Sequence, residues 1–227
     1  FEAGAIMANT PSSLCAVARR LFTDGPLVLR MLQHWRPMIA PFGTLIDQVP
    51  TGSSILDVGC GGGLFLILLA AEGRIARGLG FDANASAIDL ANGAAAHLAD
   101  TPVTFECRPV QSPWPDASFD VVSVIDLLHH IPSAVRPCVG RDAAARVRPG
   151  GLLLLKDMTE RPIWRVAANV LHDLVVARQW VSFPKRGDML AWGAAEGLHL
   201  VRERIDNMWW YGHRLLVFRK PEEGEQR

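Results

Sequence analysis

Between Ser12 and Val49 the apolar residues Leu14, Val17, Ala18 and Leu21, then Leu27, Met31, Ile39 and Leu45, return at helical intervals broken by Gly25-Pro26, Pro37 and Pro41. This predicts an N-terminal helical cap over 1–50. After Pro50-Thr51-Gly52 the pattern changes to short apolar runs separated by helical stretches, which predicts βαβ units on a parallel sheet. The expected strands are 54–58, 77–81, 103–107, 119–125 and 151–156, and the helices between them 63–71, 85–98 and 136–147. The last third departs from alternation. It predicts a long amphipathic helix over 162–181, a second helix over 187–196, and two strands, 199–210 and 213–220, forming an antiparallel hairpin about Tyr211-Gly212. Residues 221–227 read as a flexible polar tail, and 1–6, ahead of Met7, as an addition to the natural start.

Composition narrows the class. The 227 residues are 49% hydrophobic, too apolar for disorder and in keeping with one α/β domain over 51–220 with appendages. The longest apolar run, 64–71, is far too short for a membrane span. Twenty-three basic residues balance 23 acidic ones, so no bulk positive field is present to hold nucleic acid. The four cysteines lie far apart, and no signal-like apolar stretch opens the chain, so reduced thiols and a cytoplasmic location are expected. Lysine at only three positions, with abundant alanine, suggests a GC-rich bacterial genome.

The chemistry is concentrated in Ile55-Leu56-Asp57-Val58-Gly59-Cys60-Gly61-Gly62-Gly63, an apolar strand that runs into glycines and then a helix. Glycine permits positive φ and close approach of a ligand, and a helix N-terminus offers unpaired N–H groups. Asp57 would repel a pyrophosphate but suits a cationic amine. A second acid, Asp82, ends the next strand 23 residues after Gly59, close to the spacing of about 20 expected of a ribose acceptor. A ligand with an amine at one end and a ribose in the middle is implied.

Here the sequence resembles the class I S-adenosylmethionine-dependent methyltransferases, over roughly 53–158. Its first motif is similar to Leu56-Asp57-Val58-Gly59-Cys60-Gly61-Gly62-Gly63, and its ribose acid to Asp82. Pro115-Asp116-Ala117-Ser118-Phe119-Asp120-Val121-Val122 followed by Asp126-Leu127-Leu128-His129-His130-Ile131 resembles the fourth-strand motif, and Arg148-Pro149-Gly150-Gly151-Leu152-Leu153 the turn before the fifth. The resemblance implies a Rossmann-like α/β fold: a seven-stranded, mostly parallel sheet with helices on both faces and an antiparallel last strand. It further implies S-adenosylmethionine as cofactor, S-adenosylhomocysteine as product, and cofactor contacts from Asp57, Gly59, Gly61, Gly63, Asp82, Ala83, Val110, Gln111, Asp126 and Leu127. One departure is that the acid many members carry after the third strand is missing from Cys107-Arg108-Pro109-Val110-Gln111, which leaves adenine to Gln111, backbone groups and apolar walls from Ala83, Val110 and Trp114.

Methyl transfer from a sulfonium asks mainly for binding, alignment and desolvation, so a base is optional. His129 and His130 are the base candidates, because imidazole titrates near neutrality. Lys156, Asp157, His172, Trp180 and Tyr211 are expected to line the acceptor pocket, under a helical lid over 160–197 that carries several of the seven tryptophans. No metal-ligand spacing is present. The expected function is methylation, preferably on oxygen, of a small apolar acceptor of aromatic or polyketide-like type. The expected partner is that small molecule, with a homodimer as a further possibility. The alternatives are a nicotinamide-dependent Rossmann oxidoreductase, or a non-catalytic S-adenosylmethionine-binding regulatory or assembly protein.

Overall fold

Ser53–Val58 (β1) is buried at every position, as a strand must be when it is paired on both edges and covered on both faces. Around it the computed structural model, which describes residues 9–98, 102–159, 182–209, 211–222 and 224–225, places six further strands. These are Ile75–Asp82 (β2), Val103–Cys107 (β3), Phe119–Ile125 (β4), Val147–Met158 (β5), His199–Met208 (β6) and Tyr211–Arg219 (β7), in the spatial order β3-β2-β1-β4-β5-β7-β6. The pairings from β3 to β5 are parallel, and β7 enters antiparallel between β5 and β6. This is the mostly parallel seven-stranded sheet expected from the sequence.

Alternation along each strand sends neighbouring residues to opposite faces. Ile55, Val121, Leu154, Leu215 and Val217 join one core, shared with Pro11–Leu21 (α1), Phe42–Ile46 (α3), Leu64–Ala71 (α4) and Ala85–Ala95 (α5). Leu56, Val58, Val122, Leu153, Leu155 and Phe218 join the other, under Arg136–Ala145 (α6) and Arg186–Ala195 (α7). The N-terminal segment is helical as expected. In α1 the Thr10 side chain accepts the Ser13 N–H at the N-terminus, Pro11 occupies the first turn, and Leu14, Cys15, Val17, Ala18 and Leu21 form its buried stripe. Leu27–Ile39 (α2) follows, runs through Pro37 where a break was expected, and ends before Pro41.

Two boundaries differ from the expectation. The hairpin reverses after Met208, with Trp209 in the left-handed region (φ 55°), whereas Tyr211 and Gly212 already pair with Met208 and Asn207. Pairing of β7 with β5 from Arg219 back to His213 carries the strand across the glycine that reads as a turn. β5 also begins earlier, at Val147, and Arg148 to Gly151 form an irregularity where Phe119 faces Val147 but Val121 faces Leu152. The expected helix over 162–181, with His172 and Trp180, lies outside the described residues, as do residues 1–6. Within the segment expected to form a lid, α7 lies on the sheet, with Met189 and Trp192 buried in the second core.

The covering helices touch the sheet and one another through glycines. A Cβ added to Gly140 of α6 would lie 2.8 Å from Trp192, and one added to Gly193 of α7 would lie 2.7 Å from the Phe218 ring. Gly140→Ala and Gly193→Ala are therefore each expected to lower stability by about 1–3 kcal/mol in urea unfolding. Gly93→Ala, in α5 with nothing within 4 Å, is expected to gain up to about 1 kcal/mol from helix propensity. Equal midpoints for all three variants would contradict this packing.

Candidate active site

Where β1 ends, the chain turns through Gly59, Gly61 and Gly63 with φ of 68°, 53° and 74°, the left-handed region that favours glycine. The space is as restrictive as the angles. A Cβ at Gly59 would come within 2.6 Å of Leu127, and one at Gly63 within 2.6 Å of Phe105. Gly63 is also the N-cap of α4 and provides no side-chain cap there. Asp82 braces the loop: Oδ2 accepts the Gly61 N–H and Oδ1 the Asn84 N–H, both at 2.9 Å. Each oxygen retains a lone pair for a further donor.

Asp57 sits beneath the loop at 2% exposure and accepts the Ser123 hydroxyl proton at 2.6 Å, opposite its strand partner on β4. Burial pushes its carboxyl up to about 7, against the opposing influence of that hydrogen bond and of Arg36. α2 covers the loop from above. A Cβ on Gly62 would lie 2.7 Å from Gln33 Nε2, and one on Gly61 would lie 3.8 Å from Arg36 Nη1.

Beyond β4, Asp126 adopts φ 54°, a conformation that few non-glycine residues tolerate. Its carboxylate receives Lys156 Nζ at 2.5 Å and lies 3.5 Å from Arg36 Nη2. Burial works to raise this carboxyl, but the Lys156 ammonium and then Arg36 outweigh it and hold it far below the ordinary range. A 3-10 turn, Leu128–His130, follows. Within it, His129 Nδ1 lies 2.7 Å from Asp157 Oδ1 while the His129 N–H donates to Asp157 Oδ2 at 3.2 Å. Both side chains of this dyad are 1% exposed. The His130 ring sits beside it, with centroids 4.0 Å apart.

A cavity beyond the strand ends is lined by Arg36, Ile39, Asp126, His129, His130, Met158, Tyr211 and His213. Of the residues expected in the acceptor pocket, Tyr211 lines it directly. Lys156 and Asp157 do not; each holds a residue that does. A second cavity, against α6, takes Val110, Gln111 and Trp114, whose indole N–H donates to the Val110 carbonyl at 2.8 Å. Ala83 is exposed at the end of β2. Leu127 packs where Gly59 leaves room. The residues not singled out from the sequence are Gln33, Arg36 and Ile39 of α2, together with Met158 and His213.

Although the sequence carries no metal-ligand spacing, the fold places ligand atoms of Asp126, His129 and Asp157 within 4.8 Å of one another. Their commitments fit other chemistry. Asp126 is already met by two cationic groups and His129 by Asp157, so the positive charge that a metal would bring is supplied by Lys156 and Arg36.

Comparison with known proteins identifies the family. Residues 32–203 match the family model of a methyltransferase domain. A ubiquinone biosynthesis O-methyltransferase of Coxiella burnetii is 29% identical over 157 residues, 66% of this chain and 65% of that protein. The chain thus spans just under two thirds of that relative's length. The 27-O-demethylrifamycin SV methyltransferase of Amycolatopsis mediterranei is 39% identical over 108 residues, 47% of this chain and 39% of its own. Among solved structures, magnesium protoporphyrin IX methyltransferase of Synechocystis PCC 6803 with bound S-adenosylmethionine superposes with a TM-score of 0.62 at 20% identity, covering 96% of this chain and 99% of that one.

The Asp57 carboxyl gives a pH-dependent signature. Its folded-state value lies above the ordinary 3.8, so the native state holds the proton more tightly than the unfolded one between pH 4 and about 7. Its contribution to stability is complete below pH 4 and is lost as pH rises through 7, a change on the order of 4 kcal/mol. Asp57→Asn is expected to remove that slope in ligand-free protein and to exceed the wild type in stability at pH 8. Parallel stability profiles for the two proteins would count against this assignment.

Proposed function

The chain belongs to the class I S-adenosylmethionine-dependent methyltransferase family, and from that premise we propose that it transfers the cofactor's methyl group to a hydroxyl oxygen of a small apolar acceptor of aromatic or polyketide-like type. The observation that carries this reading is His129, held by Asp157, on the wall of a cavity where the apolar Ile39, Ala40 and Met158 and the Tyr211 ring stand beside Arg36, Asp126, His130 and His213. The names of the relatives, an O-methyltransferase of ubiquinone biosynthesis and a rifamycin methyltransferase, support an oxygen nucleophile on such an acceptor. The balance of 23 basic and 23 acidic residues supports a small molecule over a nucleic acid.

The loop suits the cofactor through its shape: left-handed glycines pack tightly against Leu127 and Phe105, their own N–H groups are bonded to Phe81, Asp82 and Cys60, and the turn delivers the N-terminus of α4 towards the ligand. Gly59, Gly61 and Gly63 with the N-terminus of α4 would hold the methionine part, and Arg36 is placed to meet its carboxylate. Asp57 would face the amine, and the remaining lone pairs of Asp82 the ribose hydroxyls. Ala83, Val110 and Gln111 would flank the adenine, with Asp126 and Leu127 closing the side towards the acceptor. When bound, S-adenosylmethionine supplies an electrophilic methyl on a sulfonium, which leaves as a neutral thioether.

The dyad accounts for the acceptor's proton. Asp157 accepts through Nδ1–H, which fixes the His129 tautomer and leaves the lone pair on Nε2. Asp157 is itself held by the His129 and Met158 N–H groups, so the ring is oriented from below. His129 is thus the base that removes the hydroxyl proton as the oxygen attacks, while the charge it gains is stabilised by the buried carboxylate. His130, its ring tilted by 46° beside it, shapes the same wall.

Two outcomes test the reading. His129→Gln and Asp157→Asn are expected to lower kcat by about 10²–10⁴-fold and to flatten its pH profile, with S-adenosylhomocysteine affinity within about twofold of wild type. Unchanged turnover in both would leave alignment alone as the mechanism. Asp82→Ala is expected to weaken S-adenosylhomocysteine binding in calorimetry by tenfold or more, because it removes a ribose acceptor and the brace on Gly61 together. Retained affinity would sink the ribose assignment.

A further inference from the structure

A third imidazole of the cavity has no part in the reaction described above. His213 of β7 is 3% exposed and lines the cavity with Asp126, His129 and Tyr211. Its Nε2 lies 2.8 Å from the carbonyl oxygen of Ile39, the last residue of α2. A carbonyl can only accept, so Nε2 carries the proton and the lone pair resides on Nδ1. That Nδ1 is buried and has no hydrogen-bond partner among the described residues. A buried acceptor left unmet is unfavourable, and it is most often explained by a function. The ring cannot resolve this by taking up a proton, because burial and the nearby Lys156 ammonium push its pKa down to about 3. It therefore acts as a neutral acceptor and not as a base.

The cavity also holds Arg36 and Asp126, given above to the cofactor, but His213 stands at its β7 end. In the order β1-β4-β5-β7, three strand spacings of about 4.8 Å put β7 roughly 14 Å from the strand that feeds the glycine loop. His213 instead adjoins Met158, its register partner on β5, and Tyr211, whose ring stacks at 6.1 Å. This is the end of the cavity farthest in strand order from the glycine loop. A hydroxyl has one proton, and the reading above gives the proton of the reacting hydroxyl to His129. A donor for His213 on that molecule is then a group other than the reacting hydroxyl.

We propose that His213 Nδ1 accepts a hydrogen bond from a second hydroxyl of the methyl acceptor, and that it thereby selects acceptors with two hydroxyl groups over those with one. This rests on the assignment of a small hydroxyl-bearing acceptor to the cavity. The competing explanation of His213 is structural, since its Nε2–H ties the end of α2 to the sheet. Glutamine places an amide N–H near the position of Nε2 and lacks the Nδ1 acceptor, whereas asparagine places an acceptor near Nδ1 and lacks the tether.

The test uses the full chain saturated with S-adenosylhomocysteine and titrated calorimetrically with phenol, 1,2-dihydroxybenzene and 1,3-dihydroxybenzene. Wild type is expected to bind one of the dihydroxy probes about tenfold more tightly than phenol. His213→Gln should reduce that preference below twofold while binding phenol as wild type does, and His213→Asn should retain it. A preference of equal size in His213→Gln, or none in wild type, overturns the assignment of His213 and leaves the methyltransferase reading standing. Should His213→Gln fail to fold, loss of the preference in a folded His213→Asn overturns it equally. If none of the three probes binds, the hydroxyl-acceptor reading fails and the assignment of His213 fails with it.

Discussion

The site is organised by the contact between the Lys156 ammonium and the Asp126 carboxylate. Lys156 is fully buried, and an ammonium in that position is tolerable only with its counter-charge in contact. Removing one partner of such a pair typically costs about 3–5 kcal/mol, because the other charge is left buried alone. The pair need not add net stability to be important. It holds Asp126 in a left-handed conformation, which turns the chain sharply off β4 and into the segment that carries His129 and His130. Arg36 joins the same carboxylate from α2. One cluster thus fastens α2, the fourth strand and the fifth strand beside the cavity beyond the strand ends.

The end of β5 extends this control through alternation. Lys156 and Asp157 are consecutive and face opposite sides of the sheet, so each supports a different cavity residue. Lys156 shares its face with Asp57, Ser123 and His213, under the N-terminal helices. Asp157 faces the side covered by α6 and α7, where its carboxylate receives the His129 imidazole. A strand end that carried two charges on one face would oblige them to share partners. Here the Lys156–Asp126 ion pair and the Asp157–His129 pair are placed on opposite faces by the sheet's own pleat.

Much of this was legible in the sequence, and the exceptions have physical reasons. The glycine loop, the acid at Asp82 and the order of strands and helices follow from local rules: apolar runs, positive-φ glycines and capping residues. Each depends on residues close together along the chain. Arg36 and Gln33 escaped because Pro37 reads as a break although α2 runs through it, and periodicity does not say which strand end its polar side chains will overlie. His213 escaped for a related reason. Gly212 suggested a turn, but the left-handed position falls at Trp209, a residue whose type does not signal it. Lys156 and Asp157 read as lining residues of the acceptor pocket, whereas the cavity wall includes neither, and their division between two faces becomes visible only once the register of β4, β5 and β7 is known.

The zero net charge of the whole chain conceals a strongly structured charge at the site. Asp57 lies under the loop, Asp126 beyond it, and Arg36 crosses between them. With its carboxyl raised to about 7, Asp57 is near the midpoint of its titration at neutral pH in the ligand-free protein. A cationic group brought over the loop favours the ionised carboxylate, so binding such a ligand draws the proton from Asp57 and is itself strengthened as pH rises through 7. Asp126 behaves in the opposite way, because Lys156 and Arg36 keep it ionised throughout this range. One acid therefore responds to the ligand and the other holds the scaffold, and the difference comes from their neighbours. Ser123 offers Asp57 a neutral hydroxyl, whereas Lys156 offers Asp126 a full charge.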